Sequence, residues 1–252
     1  MIVEYLRPKA MEEAMKLLDR ETPKTIPLGG GTVVSKNTSE NIAVVDLQDL
    51  GLKSISKVDD RIALGAAATL SEAESYLNSA DFSEAVQIQA GKNLRNSGTL
   101  AGMICTTDGR SPLLTLLLAL DAYLTWEPGN KVIPLGEWLP LRKEEKPGKL
   151  ITKITIPEVK HRFSSVGRSP KDQPIVCCAV AKWPGKRLRI TAGGFGEIPV
   201  LVLDGILTDD IELAMKNALH DATDQWASAE YRMQAGSKLC ARLVKEIMVE
   251  NE

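Results

Sequence analysis

Asn93-Leu94-Arg95-Asn96-Ser97-Gly98-Thr99-Leu100-Ala101-Gly102, read together with Pro27-Leu28-Gly29-Gly30-Gly31-Thr32-Val33-Val34-Ser35, decides how this chain is organised. Either stretch alone is compatible with a tight turn, because glycine enters backbone conformations closed to other residues. As a pair they place side-chain-free backbone and a hydroxyl at two points about one subdomain apart. That arrangement suits an approach to a diphosphate from two sides. A nucleotide-type cofactor is the first expectation. The first stretch is not a dinucleotide fingerprint, since a third glycine would have to stand at Val34 and a helix should open where Ser35-Lys36-Asn37-Thr38 reads as a loop.

The bulk properties narrow the field. A chain of 252 residues, 44 % of them hydrophobic, can bury a real core and form one large or two to three small domains. A net charge of −2 offers no basic field for nucleic acid. The longest apolar run, Leu113 to Leu120, is far too short to span a bilayer. The N-terminal Met-Ile-Val-Glu-Tyr-Leu-Arg-Pro lacks the basic-then-apolar order of a secretion signal, so a cytoplasmic location is expected. Cys105, Cys177, Cys178 and Cys240 make no C-x-x-C pair, and the two histidines, His161 and His220, stand apart from them. No metal site is expected from such spacing.

Periodicity gives a coarse outline. Apolar residues at helical spacing from Ala10 to Leu18 predict an amphipathic helix, and Ile42 to Leu47 is a nearly continuous apolar run of the kind that forms a strand buried on both faces. Thr25 to Leu28 reads as a strand entering the first glycine turn. From Ile55 the pattern changes: a strand at Arg61–Ala66, a helix opened by Thr69 or Ser71, and another over 83–90 stopped by Gly91. Leu113 to Leu120 favours helix by composition. Lys131–Leu135 and Leu150–Ile156 read as strands around a polar excursion, Arg142 to Lys149. A third unit starts near Phe163, with strands at 174–180 and 188–192 joined through Trp183-Pro184-Gly185-Lys186, then helices over 209–219 and 227–248.

Candidate catalytic groups are scarce. There is no Ser-His-Asp order with supporting context, no H-E-x-x-H, and no Walker lysine after the glycines. A protein that holds a redox cofactor needs few titratable side chains, because the cofactor carries the chemistry.

At these residues a family resemblance emerges. Leu28-Gly29-Gly30-Gly31-Thr32, then Leu94 to Gly102 with its R-N-x-G-T-x-x-G pattern, then Leu116-Leu117-Leu118-Ala119-Leu120-Asp121-Ala122 resembles the FAD-binding medium subunit of molybdenum hydroxylases such as carbon monoxide dehydrogenase and xanthine dehydrogenase. The likeness extends through Ile62–Ala66 with Thr69-Leu70, Leu150 to Pro157, Arg168 with Asp172, and Ala227 to Arg232, and so covers nearly the whole chain.

The resemblance implies an α+β chain in three parts: a two-subdomain FAD-binding domain of the p-cresol methylhydroxylase and vanillyl-alcohol oxidase type, over 1–54 and 55–160, and a small sheet-plus-helices C-terminal domain over 161–252. It implies FAD as cofactor, with backbone N–H groups of the two glycine stretches on the diphosphate. Carried over by position, the cofactor-binding residues are Leu28, Gly29, Gly30, Gly31, Thr32, Val33 and Ser35, then Thr99, Leu100, Ala101, Gly102, Met103 and Asp108. It also implies partners: a molybdopterin-binding large subunit, a [2Fe–2S] small subunit that supplies electrons, and NAD, a quinone or another final acceptor. This chain would be the electron-output subunit and would carry no metal itself.

The chain departs from the family at four positions. Ala101 and Met103 stand where glycine and asparagine are usual, Pro112 where an acid is common, and Ser164 where a lysine is often found. Met103, Pro112 and Ser164 motivate an alternative, a non-catalytic assembly subunit of the same fold. A stand-alone flavin-dependent NAD(P)H reductase is the other. The first is tested by asking whether Met103 fills the cleft that the cofactor would occupy.

Overall fold

The computed structural model describes residues 1–34, 40–144, 148–169, 172–206 and 210–249. In chain order the first elements are β1 (Ile2–Leu6), α1 (Met11–Leu18), β2 (Lys24–Leu28), β3 (Ile42–Asp46), β4 (Ile55–Val58), β5 (Arg61–Gly65) and α2 (Leu70–Leu77). Four helices follow, α3 (Ala80–Gln89), α4 (Lys92–Ser97), α5 (Leu100–Thr106) and α6 (Pro112–Ala119), and then β6 (Tyr123–Glu127), β7 (Lys131–Pro134), α7 (Leu135–Leu141) and β8 (Leu150–Pro157). The remainder is β9 (Lys160–Val166), β10 (Val176–Lys182), β11 (Arg187–Gly193), β12 (Val200–Ile206), α8 (Ile211–Leu219) and α9 (Ala229–Val249). The chain is thus a mixed α+β protein. It divides into two compact units: Met1–Tyr76 with Lys92–Thr106 and Tyr123–Ile156, and Leu77–Gly91 with Thr107–Ala122 and Pro157–Glu252.

The first unit is built on two sheets. In the smaller, β3 lies between β1 and β2, parallel to both. That central place explains its apolar run: all five residues of β3 are buried. Helix α1 turns Ala14 into a cluster with Val45, Leu47, Leu52, Ala67 and Leu150, while Glu12, Glu13 and Lys16 stay outside. The larger sheet has the order β4-β5-β8-β6-β7. Its strand β6 pairs antiparallel with both β7 and β8, placing Trp126 opposite Ile151.

In the second unit an antiparallel sheet of order β12-β11-β10-β9 is covered on both faces. Adjacent residues of a strand point to opposite faces. Cys177 accordingly meets Thr115 of α6, and Cys178 meets the Gly236 carbonyl of α9. Burial pushes the Cys177 thiol up to about 12, so it stays protonated and unreactive at neutral pH. Every residue of α6 is buried, which is why its sequence shows no polar stripe. Ser111 caps it by accepting the Leu114 N–H at 3.0 Å.

Several elements escape the periodicity reading. Strand β9, Lys-His-Arg-Phe-Ser-Ser-Val, is a polar edge strand with only Phe163 buried, and β12 is the opposite edge. The stretch Asn93–Gly102, read as a glycine-rich loop, falls within α4 and α5, which are separated only by Gly98 and Thr99. The polar excursion Arg142 to Lys149 and the helix start at Asp209 lie partly outside the described residues.

Candidate cofactor-binding site

Both glycine stretches belong to the first unit, and they touch. Strand β2 ends where the Leu47 N–H reaches the Leu28 carbonyl at 3.1 Å, and the chain then turns through Gly29, Gly30 and Gly31. A Cβ on Gly30 would fall 1.6 Å from the Ser97 carbonyl oxygen, and one on Gly29 would fall 2.7 Å from Thr99 Oγ1. Gly31 has a φ of +69°, in the left-handed region that glycine alone enters freely. Glycine is therefore required at each of the three positions for close approach or for backbone conformation. Among the described residues, no protein acceptor takes the N–H of Gly29, Gly30 or Thr32.

The second stretch is differently committed. The Leu70 N–H bonds to Gly98 O at 3.0 Å and the Leu100 N–H to Ala68 O at 2.9 Å, around an isolated antiparallel bridge between Thr69 and Thr99. Ala101 N–H donates to Ala66 O at 3.2 Å, and Gly102 N–H to Thr99 Oγ1, also at 3.2 Å. The amides expected from the sequence to face a ligand here are thus already used by the protein at Leu100, Ala101 and Gly102. What the segment holds out is the surface of Thr99, Ala101 and Gly102. Its preceding helix is fixed to α2: Asn96 Oδ1 accepts the Ser71 hydroxyl at 2.7 Å, and Arg95 Nε lies 3.6 Å from Glu74.

These two segments border a cavity of about 380 Å³, within the range of small-molecule and cofactor sites. Of the residues named from the sequence, Gly29, Gly30, Gly31, Thr32, Val33, Thr99, Ala101 and Gly102 line it. Leu28 does not; its side chain lies beneath the turn, with Cδ1 3.6 Å from where a Gly31 Cβ would stand. Leu100 is fully buried, and Met103 is 7 % exposed and also absent from the lining. Asp108 belongs to the second unit, where its carboxylate accepts the Arg110 N–H at 2.9 Å. Ser35 lies outside the described residues.

The rest of the wall was invisible to motif reading. Trp126, Leu150 and Ile151 come from paired strands, and Cys105 and Thr106 from the end of α5. Sheet register brings the strand residues to the turn, and no spacing in the sequence encodes that. Lys149 also borders the cavity and is ion-paired with Asp19.

A smaller, more polar pocket of about 230 Å³ shares Gly29, Gly30, Leu47 and Thr99 with the cavity and adds Gln48, Lys53, Thr69, Asn96 and Ser97. At its edge the Thr69 N–H and hydroxyl hold the Glu72 carboxylate at 2.7 and 2.9 Å, a capping arrangement at the start of α2. The backbone hydrogen bond from Thr69 keeps Glu72 below the usual carboxylate range despite the opposing effect of burial. The whole arrangement suits a group with an anionic, backbone-approachable segment and apolar parts. It offers no nucleophile–base pair in either lining.

Among the described residues, no group of three or more His, Cys, Asp or Glu is placed to hold a metal ion, and no helix is long and apolar enough to cross a membrane.

Residues 1–159 match the family described as the FAD binding domain in molybdopterin dehydrogenase. The chain is 30 % identical to the 6-hydroxypseudooxynicotine dehydrogenase complex subunit alpha of Paenarthrobacter nicotinovorans, over 92 % of this chain and 89 % of that protein. Its fold is similar to a chain of carbon monoxide dehydrogenase from Hydrogenophaga pseudoflava, with a TM-score of 0.79 at 18 % identity over 98 % of this chain and 97 % of the other. It is also similar to a chain of reconstituted CO dehydrogenase from Oligotropha carboxidovorans, with a TM-score of 0.76 at 24 % identity over 96 % of each chain.

Proposed function

The chain belongs to the family of FAD binding domains of molybdopterin dehydrogenases, with FAD as its cofactor, and from that premise we propose that it is the electron-output subunit of a molybdenum hydroxylase complex. In this reading it takes electrons from the [2Fe–2S] clusters of a small partner subunit, while a molybdopterin-binding large subunit oxidises the substrate. The final acceptor is NAD, a quinone or a similar carrier. The relative described as a complex subunit supports an assembly of this kind.

The observation that carries the reading is the glycine turn itself, whose N–H groups at Gly29, Gly30 and Thr32 have no protein acceptor among the described residues and whose residues border the cavity. Those N–H groups are the donors we assign to the diphosphate, with the Thr32 and Thr99 hydroxyls beside them. Val33, Trp126, Leu150 and Ile151 give apolar surface to exclude water from the cofactor. When bound, FAD supplies the acceptance and onward transfer of two electrons. The protein holds and orients it.

The fold-only alternative is motivated by Met103, Pro112 and Ser164, and its test turns on Met103. The Met103 side chain is buried and lies off the cavity lining, so the asparagine-to-methionine departure does not fill the cleft. The proposal is tested by expressing the chain with and without its two partner subunits. Flavin absorbance bands should develop on reconstitution with FAD, and reduction of that flavin by the hydroxylase substrate should require the partners. Absence of flavin bands at saturating FAD overturns the cofactor assignment; substrate-driven reduction without partners overturns the subunit assignment.

A further inference from the structure

A diphosphate brings two negative charges, whereas backbone N–H groups offer only partial positive ones. Two lysines border the space around the glycine turn, Lys149 on the larger cavity and Lys53 on the smaller pocket. Lys149 is already ion-paired with Asp19. Arg7, near Gln48 of the same pocket, is held by both oxygens of Asp49 at 2.8 Å. Lys53 forms no ion pair among the described residues, and no carboxylate lines the pocket it shares with Gly29, Gly30 and Thr99. Its charge is felt by Glu72, whose carboxylate is tied to Thr69 at the pocket edge.

We propose that Lys53 neutralises the diphosphate of FAD from the smaller pocket, so that it makes the site prefer a phosphate-bearing flavin to riboflavin. The inference rests on the cofactor reading of the glycine turn. A pocket of about 230 Å³ is only a few water molecules across. Lys53 borders it together with Gly29 and Gly30, so an anion seated there would meet both the lysine and the glycine amides. Asn96, whose carbonyl oxygen accepts the Ser71 hydroxyl, is an uncharged lining residue that adds no negative charge to the pocket.

The test uses the full-length purified chain, titrated separately with FAD and with riboflavin at low and high salt. Lys53→Ala should weaken FAD binding by about five- to tenfold, the effect expected for one charge-assisted contact. Riboflavin affinity should be unchanged, and the salt dependence of FAD binding should become shallower. Lys53→Glu should weaken FAD further, and Lys53→Arg should retain most of the native preference. Equal FAD affinity in Lys53→Ala and the unmodified chain overturns the proposal, as does an equal loss of riboflavin and FAD affinity. Failure of the unmodified chain to bind FAD at all sinks the cofactor reading instead, so the two failures are distinguishable.

Discussion

At the scale of single residues, the glycine turn shows how one missing atom can decide a site. A Cβ at Gly30 would overlap a backbone carbonyl, that of Ser97, and a carbonyl in a fixed segment cannot rotate away as a flexible side chain could. Gly91, by contrast, has nothing within 4 Å of its Cβ position and no positive φ. We therefore expect Gly30→Ala to push the turn off the Ser97–Thr99 segment, with a loss of stability of about 1–3 kcal/mol and failure to retain FAD. Gly91→Ala, measured by the same thermal unfolding and flavin retention, should leave both within about 0.5 kcal/mol of the parent. A Gly30→Ala variant that keeps its flavin and melting temperature would show that the two segments do not need to touch. This contact was only half legible in the sequence: the glycines and their order were plain, but not that Leu100, Ala101 and Gly102 spend their N–H groups on Ala68, Ala66 and Thr99. Two of those partners, Ala66 and Ala68, lie in a segment whose position beside the second glycine stretch only folding reveals.

Among the elements, helix α9 carries a fully buried anchor of the second unit, and it is polar. Arg232 is fully buried; its guanidinium bonds the Asp224 carboxylate at 2.8 and 2.9 Å and the carbonyls of Ile175, Ala222 and Ala227. It therefore ties the start of α9 to the segment that leads into β10. Burial pushes the Asp224 carboxyl up, but the Arg232 guanidinium and the N–H groups of Trp226 and Ala227 outweigh it and hold it below the usual carboxylate range. A carboxyl depressed in the folded state contributes stability above its unfolded value, near 3.9, and loses it as pH falls through the lower folded value. Arg232→Met should cost about 3–5 kcal/mol, because the pair is broken from its buried side and several carbonyls lose a donor. Arg232→Lys should not rescue it, since one ammonium cannot reproduce the fork. Urea unfolding across pH checks both points: the parent should lose stability below about pH 4, and Asp224→Asn should flatten that limb. Helix α1, with one strong period, and β3 and α6, each a nearly continuous apolar run, could be read from the chain alone because their burial follows from their own residues. Strands β9 and β12 could not, since an edge strand owes its existence to the neighbour it pairs with, and α4 and α5 are too short for a period to declare itself.

For the molecule as a whole, the cavity that we assign to the cofactor draws on the glycine turn, Leu47, Thr99 with Ala101 and Gly102, Trp126, and Lys149 to Ile151, segments far apart in sequence that all belong to the first unit. A ligand that binds only when these are assembled must stabilise the folded unit by RT ln(1 + [L]/Kd), about 2.7 kcal/mol at a hundredfold excess over Kd. For a chain of this size that corresponds to a rise in thermal midpoint of about 5–10 °C. Riboflavin, which lacks the diphosphate and adenosine, should give a smaller rise at equal concentration, because the amides of the glycine turn and Lys53 would have no anion to meet. Differential scanning calorimetry with FAD, riboflavin and no addition separates these cases. If the two units unfold in separate transitions, only the one that contains the glycine turn should move, whereas a single cooperative transition should move as one. A trace unchanged by saturating FAD would contradict a binding site preformed in the folded chain, since any group bound by the native state and not by the unfolded one must shift the equilibrium toward the native state.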